Sequence, residues 1–156
     1  MKKLYILFLT FFIYAQSFAL FIWTGAVDTD WNNTGNWSGN VVPSSLDDVT
    51  INGGATFYPV ITTNITCNSL TLSSGAALII NAGTFNVTAL SDINGILTIS
   101  GGAAYDADGN FDATGGVIDF TGAGILDLAS IVNSLGTLDN TLGTVIYSGT
   151  TQSVLG

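Results

Sequence analysis

The densest set of oxygen donors in this sequence is Asp106-Ala107-Asp108-Gly109-Asn110-Phe111-Asp112. Alternating carboxylate and amide side chains of this kind suit Ca²⁺, which takes six to eight oxygens in flexible geometry. Asp106, Asp108, Asn110 and Asp112 are therefore the candidate calcium ligands. The spacing departs from an EF-hand, because Gly stands fourth and Phe111 sixth, and Val117 occupies the twelfth position instead of Glu. Asp108-Gly109 reads equally as a tight turn between strands. Two closer carboxylate pairs, Asp47-Asp48 and Asp28/Asp30, are the residues an Asp-based polysaccharide-degrading enzyme would need across a glycosidic bond. Trp31 and Trp37, with Asn and Asp nearby, would make a sugar-stacking platform in a carbohydrate-binding module, or an aromatic plug if buried.

Composition narrows these options. The two basic residues are Lys2 and Lys3; beyond them the chain carries Asp as its only charged residue, eleven in all, and it has no His. An imidazole base, a Schiff-base lysine and a phosphate clamp are therefore missing, and with them most catalytic chemistry. The expectation is a non-enzyme. Nucleic acid and anionic membrane surfaces would repel the chain, whereas divalent cations and basic partners would be attracted. No cofactor is required by any motif; calcium is the one candidate. Cys67 is alone, cannot form an internal disulfide, and sits in an alternating apolar run as a small buried hydrophobe does.

Residues 1–19 read as a secretory signal peptide. Lys2-Lys3 is the positive start, Leu4 to Tyr14 the apolar segment, and Ser17-Phe18-Ala19 the cleavage signal. Secretion or display at the cell surface follows, with no membrane span expected after signal removal. The remaining residues are sufficient for one domain with its own core.

What positions the candidate residues is a series of short β-type runs punctuated by Gly, Asn and Ser. Asp48–Ile51, Ser69–Leu72, Ala77–Ile80, Ile96–Ile99, Val117–Phe120, Ile125–Leu128 and Thr144–Tyr147 are examples. No helical periodicity is sustained. Very short strands, small-residue spacers and a loosely repeated phrase predict an all-β chain folded as a right-handed parallel β-helix or β-solenoid; a β-sandwich is the alternative. Stacked Asn, Ser and Thr would hydrogen-bond along such ladders without salt bridges.

All three Trp fall between positions 23 and 37, in Trp23-Thr24-Gly25, Trp31 and Asn36-Trp37, followed by Pro43 and Asp48-Val49-Thr50-Ile51. This stretch resembles the start of the passenger region in large exported bacterial surface proteins: adhesin-like and autotransporter-like β-solenoids and the secreted repeat proteins of gliding bacteria. The resemblance implies a Trp-rich N-terminal cap over residues 20–51, solenoid repeats over 52–156, and a structural, adhesin-like role. It also implies that the last residues form part of a repeat unit and that the chain is a segment of a longer protein. The partners it implies are downstream domains of that protein, and glycans or host and cell-surface proteins.

Overall fold

The structure, a computed structural model, describes residues 20–139, 141–150 and 153. The signal-peptide segment 1–19 lies outside the described residues. Strand β1 (Leu20–Trp23) is followed by a long excursion containing a single 3-10 turn, Thr34–Asn36. Five coils of three strands then follow. The first holds β2 (Asp48–Ile51), β3 (Val60–Ile61) and β4 (Ile65–Cys67), and the second β5 (Ser69–Leu72), β6 (Ala77–Ile80) and β7 (Gly83–Val87). The third holds β8 (Leu90–Ile93), β9 (Ile96–Ile99) and β10 (Ala103–Ala107). The fourth comprises β11 (Asn110–Asp112), β12 (Val117–Phe120) and β13 (Ile125–Leu128), and the fifth β14 (Val132–Ser134), β15 (Thr137–Asp139) and β16 (Thr144–Tyr147).

Corresponding strands stack into three sheets, in the orders β1-β2-β5-β8-β11-β14, β3-β6-β9-β12-β15 and β4-β7-β10-β13-β16. Every strand pairing is parallel, as in β2 on β5, β6 on β9 and β10 on β13. That arrangement is a β-solenoid and excludes the sandwich, which is built from antiparallel sheets. Val49 lies on Leu70 and Phe85 on Tyr105, so one coil takes about 20 residues.

Side chains alternate in and out along each strand, and parallel register turns that alternation into columns. Leu78, Leu97 and Ile118 form one inward column, Ile61, Ile80, Ile99 and Phe120 a second, and Cys67, Val87, Ala107 and Leu128 a third; all are buried. An aromatic series threads the core. Trp31 meets Phe85 edge-on at 5.1 Å, Phe85 stacks on Tyr105 at 5.8 Å and 21°, and Tyr105 meets Phe111 edge-on at 6.1 Å. Such pairs contribute about 0.5–1.5 kcal/mol each beyond the area they bury.

Three readings of the sequence change here. Residues 106–112 are not one loop: Asp106 ends the outward row of β10, Asp108-Gly109 forms the corner, and Asn110 and Asp112 belong to β11. Strand β8 exists although Leu90 points out and Ser91 points in, the reverse of the expected polarity. The weakly helical stretch from Ile125 to Leu135 is strand β13, a corner, and β14.

Candidate functional site

The N-terminal end of the solenoid is closed by the tryptophans. Trp23 and Trp37 meet edge-on at 5.0 Å, and Trp31 and Trp37 at 4.6 Å. The indole Nε1 of Trp23 donates to the carbonyl of Phe57, and that of Trp37 to the carbonyl of Trp31, both at 2.7 Å. Each indole thus has its polar atom satisfied while its ring covers the first coil. Trp31 and Trp37 are each 2% exposed, so neither offers a face for sugar stacking. The carbohydrate platform is corrected on that ground: the rings that would bind are the floor of the core.

The loop carrying the tryptophans is held by a buried amide that the sequence reading did not single out. Asn36 is fully buried; its Oδ1 accepts from the backbone N–H of Val27 and of Asp28, and its Nδ2 donates to Asp28 Oδ1 at 2.6 Å and to the Asp30 carbonyl at 2.9 Å. Asp28 also accepts from Asn33 Nδ2 and from the Asp30 backbone N–H. Donors from Asn33, from the Asp30 backbone and from Asn36 hold the Asp28 carboxyl below its ordinary range. Asp28 and Asp30 therefore serve as loop staples, each bound to backbone N–H groups two residues on.

The calcium candidates are divided between two sheets. Asp106 lies on β10, in the outward column Asn86, Asp106, Asp127. Burial raises its pKa, a hydrogen bond from Asn86 opposes this, and the charges of Asp108 and Asp127 add to the rise. Asp108 Oδ2 accepts from Asn86 Nδ2 at 3.0 Å, and Asn110 Oδ1 from Ser130 Oγ at 3.1 Å. Asp112 Oδ1 accepts from the hydroxyl and the backbone N–H of Thr114, which lower its pKa, and Oδ2 from Asn133. The four oxygens needed for one ion are thus spent on four different neighbours across a corner, and the donor set does not fit Ca²⁺. No cluster of three or more His, Cys, Asp or Glu suited to a metal occurs among the described residues.

Asp47 accepts from the backbone and hydroxyl of Ser44, closing a turn, and Asp48 accepts from Asn68 Nδ2 at 2.7 Å on the next coil. Cys67 is fully buried; desolvation, with a smaller contribution from Asp48, pushes its thiol up to about 12. It is therefore a protonated packing group at neutral pH.

The geometry that recurs is the inter-coil ladder. Ser73 donates to Asn52, Ser100 to Asn81, and Thr121 to Ser100, each across one coil step. A family profile described as a domain of unknown function, DUF8693, matches residues 22–118, more than half of the chain. The chain belongs to the DUF8693 family. The matched DUF8693 segment runs from β1 through the Trp cap to β12, so the cap and the first coils are what the family shares. No curated protein and no solved structure matches the chain.

Proposed function

We propose that the chain is a non-enzymatic structural segment of an exported, adhesin-like bacterial surface protein, and that its task is to space and present binding regions in other domains of that protein. The observation that carries this reading is the inter-coil register. Outward amides, hydroxyls and carboxylates bond to the neighbouring coil (Asn68 to Asp48, Ser100 to Asn81, Ser130 to Asn110), and inward aromatics stack along the axis. Polar side chains used this way strengthen a rod instead of converging on a substrate. Each coil adds about 4.8 Å of length, so the stack is a ruler with a fixed increment.

Export is the second part of the proposal and rests on the signal-like residues 1–19. Among the described residues no helix is long and apolar enough to cross a membrane. Expression of the whole chain in a bacterial host, with fractionation and intact-mass measurement, tests this. The expected product lies outside the cytoplasm and begins at Leu20. An unprocessed chain confined to the cytoplasm would overturn the surface assignment, and turnover on a panel of glycans by the purified chain would overturn the non-enzymatic one.

A further inference from the structure

The two ends of the solenoid differ. At the N-terminal end Trp23, Trp31 and Trp37 are each 2% exposed and cover the core. At the other end the inward columns open. Ile118, Leu126 and Leu128 in the fourth coil are at most 1% exposed, yet their register partners in the fifth coil are Leu138 and Val145, only partly buried, and Tyr147, 45% exposed. Strands β15 and β16 each have a neighbour on one side only among the described residues. Beside them, β14 already has a contact beyond it: Val132 N–H donates to the Ser153 carbonyl at 2.9 Å. One coil earlier, Phe111 N–H donates in the same way to the Ile131 carbonyl. Ser153 thus stands where a sixth layer of the first sheet begins.

We propose that the face formed by β15 and β16 is a docking surface for a further parallel β-coil, entered through Ser153. Its strands would lie over Thr137–Asp139 and Thr144–Tyr147, with apolar side chains over Leu138, Val145 and Tyr147. The inference rests on the scaffold reading only in taking coil stacking as the mode of assembly. The occupant is identified by continuity, since this face repeats the interface that already joins the fourth and fifth coils. Unpaired parallel edges select an extended backbone, and the half-open columns select apolar residues at every second position. A second copy of this chain fits poorly. Its N-terminal end is closed by tryptophan, and beyond Lys3 it has no cation to set against Asp127 and Asp139.

The test compares the chain from Leu20 with the same chain extended after Gly156 by a second copy of residues 135–150. Amide hydrogen exchange is read in β15 and β16, and molar mass by light scattering. A control extension carries Asp at the appended copies of Leu138 and Val145. The expected result is a monomer in which exchange in β15 and β16 slows roughly tenfold or more, with no slowing in the control. Unchanged exchange in the extended monomer overturns the proposal. Concentration-dependent dimerisation of the unextended chain with protection of β15 and β16 also overturns it, by making a second copy the occupant. Neither result depends on whether the chain is exported, so failure of the surface assignment is read separately.

Discussion

Tyr105 donates a 2.8 Å hydrogen bond from its phenol to Ser91 Oγ, with both residues fully buried. Ser91 occupies an inward position in the column Leu70, Ser91, Phe111, and its small volume accommodates the ring that reaches across from the third sheet. Burial drives the Tyr105 pKa upward, so the phenol remains protonated and a donor. A polar pair in an apolar core is stable only while both partners are present. Ser91→Ala should therefore destabilise by about 1–3 kcal/mol, and Tyr105→Phe by a similar amount. The double variant should recover part of the loss. Chemical denaturation of the four proteins in a double-mutant cycle checks this, and strictly additive losses would show that the pair is not coupled.

The tryptophan cap should behave as core. Trp31→Ala removes the ring that links Trp23 and Trp37 to Phe85, and should cost about 3–5 kcal/mol, as large aromatic truncations do. Tryptophan emission of the native chain should be blue-shifted and resistant to acrylamide. Quenching by a soluble glycan would contradict the burial of these rings.

Two aspartates should respond to pH in opposite senses. The depressed pKa of Asp28 means its stabilisation is present above the unfolded value and is lost as pH falls through the folded value. Asp28→Asn should lower the melting temperature at pH 7 and flatten its decline in acid. Asp106 has a raised pKa, chiefly from burial, so its favourable contribution belongs to low pH and is lost as pH rises through the folded value. Asp106→Asn should raise the melting temperature at pH 7 and leave it unchanged at pH 3. Thermal melts across pH for the two variants decide the matter.

Calcium should have no effect on stability. Asp108, Asn110 and Asp112 already bond to Asn86, Ser130 and Thr114 on separate neighbours. Melting temperatures in chelator and in millimolar Ca²⁺ should agree. A rise with Ca²⁺ that disappears in Asp112→Asn would restore the ion site.

At the coil corner, a Cβ on Gly109 would collide with the backbone of Ala89 in the coil above. Gly109→Ala should destabilise by several kcal/mol, because backbone cannot yield as a side-chain end does. By contrast Gly102 has φ +81 and open space around it, so Gly102→Asn should be tolerated at a cost of about 1 kcal/mol or less. Equal losses at the two sites would mean that the corners do not stack as described.

Alternation made much of the fold legible. Asp48–Ile51, Ser69–Leu72, Ala77–Ile80 and Ile96–Ile99 are strands with the expected inward faces because their apolar residues are large. Around Ala103–Ala107 and Asn110–Asp112 the inward positions include Ala103 and Ala107, too small to mark an apolar face among so many Asp and Gly, so strands looked like a ligand loop. The coil period was hidden because successive steps differ: Leu70 to Ser91 spans 21 positions and Phe85 to Tyr105 spans 20. Asn36 was invisible for another reason. Its amide is one of many in the segment, and only the folded loop brings Val27, Asp28 and Asp30 around it.

The account stands or falls on coils that stack with a constant step. Spin labels at outward positions of the first sheet measure that step directly, with Cys67→Ala as the background. Thr50 and Ser134 lie in one column through Thr71, Asp92 and Asp112, and Ile22 extends the column by one layer. The predicted backbone separation is about 19 Å from Thr50 to Ser134 and about 24 Å from Ile22 to Ser134, each with a narrow distribution. Distances that do not grow by about one strand spacing between the two pairs, or that spread broadly, would contradict the stacked solenoid and the scaffold role built on it.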